Sequence, residues 1–382
     1  MKQYLKYLEA QTHILHPEEL STRGIDDLRR AIKIFQTMRD EFVNLSAHSI
    51  TTKWDGAPAI VCGINPENNK FFVSTKSALN KEPKVCYNKD DIIHFTNNVD
   101  LQNKLMSAMH YLSQLNIKGI IQGDLLFTEE SKQIKTIDGE ENIVFKANTI
   151  TYAALINSPT GQQINKAKLG IVFHTKYTGK LNNLTKSSLS PNEVPQSTSD
   201  VFSINPEITK DAPTLSSTEK DSVTTNLKEI GTLFHILSKE FYVKMEEYQI
   251  KDSIEKAINN YIKNESLPDN VDQFAVDVIK AALSKSNKKS MQAENFIKDF
   301  KQQFIALFKI YKLLYDTKIV FVRALEKISN NVKAYTQDDK GFKITNPEGF
   351  VLTNTSTGNM IKLVDRLNFS KNNFNFIKNW GK

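Results

Sequence analysis

The chain has 382 residues, 40% of them hydrophobic, enough for a sizeable core and for two domains or one elaborated domain. A formal charge of +7 suits a phosphate-rich partner without demanding one. The two cysteines, Cys62 and Cys86, form no C-x-x-C pair, which argues against a disulfide framework and a structural zinc site; no run of eighteen apolar residues suggests a transmembrane helix.

Met1 to Lys6 lack the apolar core of a signal peptide, so a reducing, cytosolic setting is expected. Residues Leu5 to Leu45 read as helical. Leu20, Ile25, Leu28, Ile32, Phe35, Met38 and Phe42 recur at helix spacing, with Ser21 and Asp26 as candidate N-caps. His13 and His16 precede this helix without a third metal ligand nearby, and are expected to be packed or surface histidines.

From Ser49 the pattern turns to short β-prone runs: Ile50–Thr52, Ala59–Gly63 and Lys70–Thr75, the last two joined by the turn Asn65-Pro66-Glu67-Asn68-Asn69. The first run ends in Thr52-Lys53-Trp54-Asp55-Gly56, a K-x-D-G sequence. A lysine there could attack the α-phosphate of a nucleoside triphosphate, provided burial or nearby cations lower its pKa. The bland alternative is a lysine before an Asp-Gly turn. Lys76 follows the third run, able to reach a nucleotide or simply solvated.

Leu101 to Leu115 is an amphipathic helix, with Leu101, Leu105, Met109 and Leu112 on one face. The apolar strand Gly119 to Phe127 contains one acid, Asp124. An unpaired carboxylate in a buried strand is costly, so Asp124 either faces a site, the favoured reading, with Gly123 allowing close approach of a ligand, or sits at the strand's end in water. Asn142–Phe145, Thr149–Ile156 and Leu169–Tyr177 read as strands. Phe173 is either core or a base-stacking residue, and His174 either a hydrogen-bonded core histidine or a base.

Asn182 to Thr225 is crowded with Ser, Thr, Asn and Pro and reads as a connector. Helical periodicity then covers Leu227–Tyr248, Val271–Leu283 and Phe296–Ile328. The last carries an aromatic stripe interleaved with Lys301, Lys309, Lys312 and Lys318. Strand signal returns at Phe342–Ile344, which leads into Asn346–Leu352, and again at Met360–Arg366.

In order along the chain, these motifs resemble those of the covalent nucleotidyltransferase superfamily, the polynucleotide ligases and mRNA capping enzymes. Lys53-Trp54-Asp55-Gly56 looks like the nucleophile motif. Ser74-Thr75-Lys76 looks like the next, with Lys for the usual Arg, and Gly123-Asp124-Leu125 like the third, with Asp for the usual Glu. Ile171-Val172-Phe173 resembles the base-stacking strand, and Glu348-Gly349-Phe350-Val351 the E-G-x-V strand. Ile361-Lys362-Leu363-Val364-Asp365-Arg366 resembles the last, with one lysine where two are usual. The arrangement also resembles uncharacterised phage-encoded proteins, which would place it in the cytoplasm of an infected host cell.

The resemblance implies an α+β fold: a nucleotidyltransferase (adenylation) domain of antiparallel sheets with helices, plus a mostly helical inserted module. Its implied organisation is an N-terminal part over 1–180 (helical 1–48, catalytic strands 49–180), a flexible connector over 181–225, the helical insertion over 226–335 and a C-terminal part over 336–382. It implies ATP and Mg²⁺ (or Mn²⁺) as cofactors. Lys53 is the implied catalytic residue. Thr52, Trp54, Asp55, Gly56, Lys76, Asp124, Phe173, Lys362 and Arg366 are the implied nucleotide contacts, and Glu348 and Asp124 the implied metal ligands. Lys362 and Arg366 would bind the α-phosphate and keep Lys53 deprotonated, Asp124 would fix the ribose and Phe173 the adenine. The implied partner is nucleic acid with 5′-phosphate and 3′-hydroxyl ends, and no membrane. About sixteen residues follow Arg366, too few for the OB-fold that DNA ligases carry there, which favours an RNA strand. The alternatives are a DNA ligase with a non-standard clamp and a non-catalytic nucleotide- or nucleic-acid-binding phage protein.

Overall fold

The computed structural model describes residues 14–42, 48–204, 214–327, 332–338, 341–345, 348–354, 357 and 360–367. His13 lies outside them. The chain is a mixed α+β protein in two compact units. One comprises Met1–Ser46, Lys210–Ile328 and Ile361–Lys378, the other Ala47–Thr209, Ser329–Met360 and Asn379–Lys382. This division corrects the expected one. The N-terminal helix belongs with the helical unit rather than with the strands that follow it, and so does the segment after Met360.

In the helical unit, a short 3-10 turn (Pro17–Thr22) leads into α1 (Ile25–Glu41). Leu28, Ala31, Phe35 and Met38 fall three or four residues apart and are all buried, as the periodicity requires. The expected caps differ. Gly24, at φ 145°, is the N-cap, and Ser21 Oγ donates to Glu18 O at 2.7 Å inside the preceding turn. The left-handed φ is available to glycine at no steric cost.

Next come α5 (Ser217–Phe234), α6 (Lys239–Glu247), α7 (Ile250–Lys263), α8 (Val271–Leu283), α9 (Asn287–Asp299) and α10 (Lys301–Glu326). The single helix expected over Leu227–Tyr248 is two. Ser238 leaves the helical conformation and caps the second through a bond from Phe241 N, an alternative that serine offers the backbone. The helix expected over Phe296–Ile328 likewise breaks at Phe300, which bonds back to Phe296 O. The aromatic stripe is core: Phe304, Phe308, Tyr311 and Tyr315 are all buried. Two of its lysines are already engaged, Lys312 with Asp269 and Lys318 with Glu18. Lysine and arginine are nearly balanced by aspartate and glutamate over 210–328.

The β-rich unit holds a six-stranded sheet and a five-stranded one. The first runs β10 (Val201–Ile204), β8 (Leu169–Lys180), β4 (Ile120–Thr128), β2 (Ala59–Ile64), β3 (Phe71–Ser74), with β9 (Asn183–Ser188) also on β8. All neighbours are antiparallel except β10 and β8. Over its described residues the expected connector, 181–225, is therefore largely structured: β9 and β10 pair along one edge of the sheet, the sparse apolar residues Leu184, Leu189, Val201 and Phe202 are buried, and α5 begins at Ser217. The second sheet runs β12 (Gly341–Thr345), β11 (Lys333–Asp338), β7 (Thr151–Leu155), β6 (Glu140–Lys146), β5 (Lys132–Ile137). One face of the larger sheet packs Ile60, Cys62, Ile121, Leu125, Ile171 and Phe173 against α3 (Val99–Leu112), through Leu105, Ala108 and Leu112. Short helices α2 (Lys89–Phe95) and α4 (Pro159–Lys166) complete the unit.

Candidate active site

The site begins at the end of β1 (His48–Lys53). This strand pairs antiparallel with β13 (Gly349–Asn354), in a register that sets Lys53 opposite Gly349. Ile50 on β1 and Phe350 and Leu352 on β13 are buried, which pins that register, because a one-residue slip would turn them outward. Glu348 consequently lies beside Lys53, 295 positions away in sequence, and the two side chains form an ion pair. The pairing also half-buries Thr52, opposite Phe350.

The lysine is not poised as expected. Burial pulls its amine pKa down, but the charge and hydrogen bond of Glu348, with Asp124 and Asp55, outweigh burial and leave it raised. In this state Lys53 is an ammonium held by a carboxylate.

Asp55 is an anchor. Its buried carboxylate accepts bonds from Asn148 Nδ2 (2.9 Å), Thr149 N (2.7 Å), Thr149 Oγ1 and Ile150 N (2.9 Å), while its own N–H donates to Tyr152 Oη at 2.8 Å. The K-x-D-G turn is thereby tied to the start of β7. Trp54 packs on Tyr152, ring centroids 4.7 Å apart. Sequence reasoning missed Asn148, Thr149 and Tyr152, which carry no motif of their own.

Gly56 lets this turn lie against β4. A Cβ there would meet Asp124 Cβ at 2.8 Å and Leu125 O at 2.9 Å. Ala57 N donates to Leu125 O and Leu125 N to Pro58 O, so the backbone has little room to retreat. Gly56→Ala should lower unfolding free energy by about 1–3 kcal/mol in urea denaturation, the usual cost of overpacking.

Asp124 lies opposite Ala59 on β2 and Val172 on β8. Burial would raise its pKa, but His174, Lys53 and Lys76 together hold the carboxyl below its ordinary range. Lys76 itself is exposed, beside the Thr75-capped turn Lys76–Leu79. Lys53 and Lys76 thus lie within electrostatic reach of Asp124. Gly123 is also needed: a Cβ there would meet Val172 O at 2.6 Å.

Phe173 is not a stacking residue. It is fully buried in the core against α3, on the sheet face opposite Asp124. Strand alternation is the reason: Phe173 pairs with Gly123, so it points away from the face that Asp124 and Val172 share. Arg366 is also committed elsewhere. In the helical unit its guanidinium meets Glu19 (3.2 Å), Tyr311 Oη (3.2 Å) and Asn259 Oδ1 (2.7 Å). Lys362 lies in β14 (Met360–Leu363), where its N–H donates to Leu15 O at 2.8 Å.

Among the described residues, no group of three or more His, Cys, Asp or Glu side chains forms a metal cluster. No helix among them is long and apolar enough to cross a membrane. No curated protein and no solved structure matches the chain. A family model matches residues 11–378, and by it the chain belongs to the family described as "Family of unknown function (DUF6267)".

Proposed function

We propose that this protein is an ATP-dependent polynucleotide ligase of the covalent nucleotidyltransferase type, working through a lysyl-AMP intermediate, with an RNA strand the preferred substrate. The observation that carries this reading is the meeting of Lys53 and Glu348 across β1 and β13. The pairing of β1 with β13 sets a K-x-D-G lysine against an E-G-x-V glutamate, the two residues this chemistry would use.

Lys53 Nζ would attack the α-phosphorus of ATP. A P–N bond forms, the bond from that phosphorus to the bridging oxygen breaks, and pyrophosphate leaves with the electron pair. The proton that Lys53 must shed lies on its hydrogen bond to Glu348 and leaves through that carboxylate to water. Asp55 holds the nucleophile's turn in place, a positioning role. Lys76 adds positive charge near the bound nucleotide. In the second half of the reaction, a nucleic-acid 5′-phosphate displaces Lys53 from AMP. A 3′-hydroxyl then attacks the activated phosphate and releases AMP.

The reaction would call for Mg²⁺ or Mn²⁺, ions commonly bound by one or two carboxylates, with substrate phosphates and waters completing the shell. Glu348 would hold the ion, which when bound neutralises charge on the phosphates. Incubation with ATP and Mg²⁺ should add one AMP to the intact mass, in acid-stable linkage. An unmodified chain across a range of pH would instead support a non-catalytic binding protein.

A further inference from the structure

One surface of the β-rich unit gathers lysines that no carboxylate neutralises. Two stretches distant in sequence build it. The first, 76–87, leaves β3 as the short turn Lys76–Leu79, capped by Thr75. It is pinned to the sheet: Lys84 N donates to Ser77 O, and Cys86 and Val73 exchange backbone hydrogen bonds of 2.9 and 3.0 Å. The second is the hairpin of β8 and β9, which closes with Lys180 opposite Asn183. The stretches meet through apolar side chains. Ala78, Leu181 and Leu184 share one buried cluster with Phe72 and Tyr177, and Leu79, Val85 and Tyr87 pack against it. The lysines between these positions stay in solvent: Lys76, Lys81, Lys84 and Lys180 are all exposed. Lys118, also exposed, lies at the same end of the sheet as Lys180, because nearby Ile120 pairs with Tyr177.

Charge balance singles this surface out. Residues 76–87 carry three lysines and one acid, Glu82, and 177–188 carry Lys180 and Lys186 with no acid. Among the described residues, none of Lys76, Lys81, Lys84, Lys118 and Lys180 forms a salt bridge. Lys176, at the margin, is already paired with Glu193. In the helical unit, by contrast, Lys251, Lys285 and Lys312 are paired with Glu255, Asp252 and Asp269. Like charges crowded together repel, so a polyanion covering them relieves that repulsion. Several separate ammonium groups, each a point charge on a flexible stem, suit a ligand whose charge repeats along its length. A lipid surface would also need apolar side chains turned outward. Among the described residues, neither stretch exposes a large apolar side chain. The surface adjoins the candidate site, since the charge of Lys76 reaches Asp124.

We infer that this surface is a nucleic-acid interface, on which Lys81, Lys84, Lys118 and Lys180 hold the phosphate backbone of a strand beside the Lys53 site. The inference rests on the reading above for the strand's role as substrate, but its binding needs no chemistry at Lys53.

The test replaces Lys81, Lys84 and Lys180 together by glutamine. A second triple variant, Lys288→Gln with Lys298→Gln and Lys301→Gln, removes the same charge from exposed positions of the helical unit. Fluorescence anisotropy measures binding of a labelled 5′-phosphorylated single-stranded RNA and its DNA counterpart over a series of KCl concentrations. Each phosphate contact on a single strand steepens the fall of log Kobs with log salt by about 0.7. Losing three should flatten the slope by about 2 and weaken binding about a hundredfold at about 0.1 M salt, on RNA and DNA alike. Lys180→Gln alone should flatten it by about 0.7. The helical-unit variant should bind as the wild type does. Thermal melts establish that all variants fold, and AMP labelling with ATP should be equal in all of them. An unchanged slope in the first variant, or equal losses in both triple variants, would overturn the inference. So would a wild type that binds vesicles of anionic phospholipid but neither nucleic acid. If the first variant alone loses the strand while the wild type never acquires AMP, the interface stands and the ligase reading fails. If the wild type labels with AMP and the first variant binds nucleic acid unchanged, the ligase reading stands and the interface falls.

Discussion

Lys53→Ala should reduce AMP adduct formation to background, and Lys53→Arg should do the same. Alanine has no nucleophile, and a guanidinium does not give up its proton in proteins. The pH dependence is more telling than the loss itself. Glu348, with Asp124 and Asp55, raises the Lys53 pKa against the pull of burial. The neutral amine is therefore scarce near neutrality, and charging by ATP should accelerate as pH rises. In Glu348→Gln the principal raising contribution disappears while burial remains, so the amine pKa should fall. Competitive acylation of Lys53, followed by peptide mass spectrometry across pH, reads this without needing turnover. The alkaline rise in labelling should move to lower pH in the variant. A variant curve superimposed on the wild type would show that Glu348 does not control the Lys53 amine. The linkage to stability has a definite sign. With its folded pKa raised, Lys53 contributes stability that is fully present below the unfolded lysine value of about 10.4 and is lost as pH rises through the folded one. Glu348→Gln should flatten that alkaline loss.

The second large effect lies in the helical unit. Lys318 and Glu18 form an ion pair 2.5 Å apart in which both side chains are completely buried. Burial outweighs the attraction of Glu18 and holds the Lys318 pKa below the ordinary lysine range, so the ammonium is under a real desolvation penalty. The Tyr315 ring, 4.4 Å away, offers partial compensation. Removing one partner strands the other charge. Lys318→Met and Glu18→Leu should each therefore cost about 3–5 kcal/mol in chemical denaturation. The double variant should recover most of this, because two apolar side chains carry no desolvation cost. Additive losses in the double variant would mean that the pair is not energetically coupled. The ion pair joins the turn Pro17–Thr22 to α10, and Arg366 joins the segment after β14 to Glu19 and Tyr311. The helical unit is thus held across three stretches of chain by charge as well as by apolar packing.

Much of this molecule was legible in the residues themselves. Helix α1, helix α8 and strands β1, β2, β3, β4 and β8 follow from periodicity, because an amphipathic face records its own burial in the sequence. The order of Lys53, Lys76, Asp124 and Glu348 identified residues that the fold does gather. Local pattern could not reveal what depends on partners far away. The raised pKa of Lys53 is set by a carboxylate 295 residues distant. The anchoring of Asp55 depends on Asn148 and Thr149, whose identities are ordinary for a turn. Phe173 and His174 are adjacent, and only a β-bulge in β8 decides which one enters the core and which one faces Asp124. The allotment of the N-terminal helix to the helical unit, and the burial of Lys318, likewise rest on which surfaces meet in three dimensions. Sequence fixes the periodicity of a strand or helix because each residue's side-chain direction follows from its neighbours. It leaves open which partner a charge or an edge will find, because that free energy belongs to the pair.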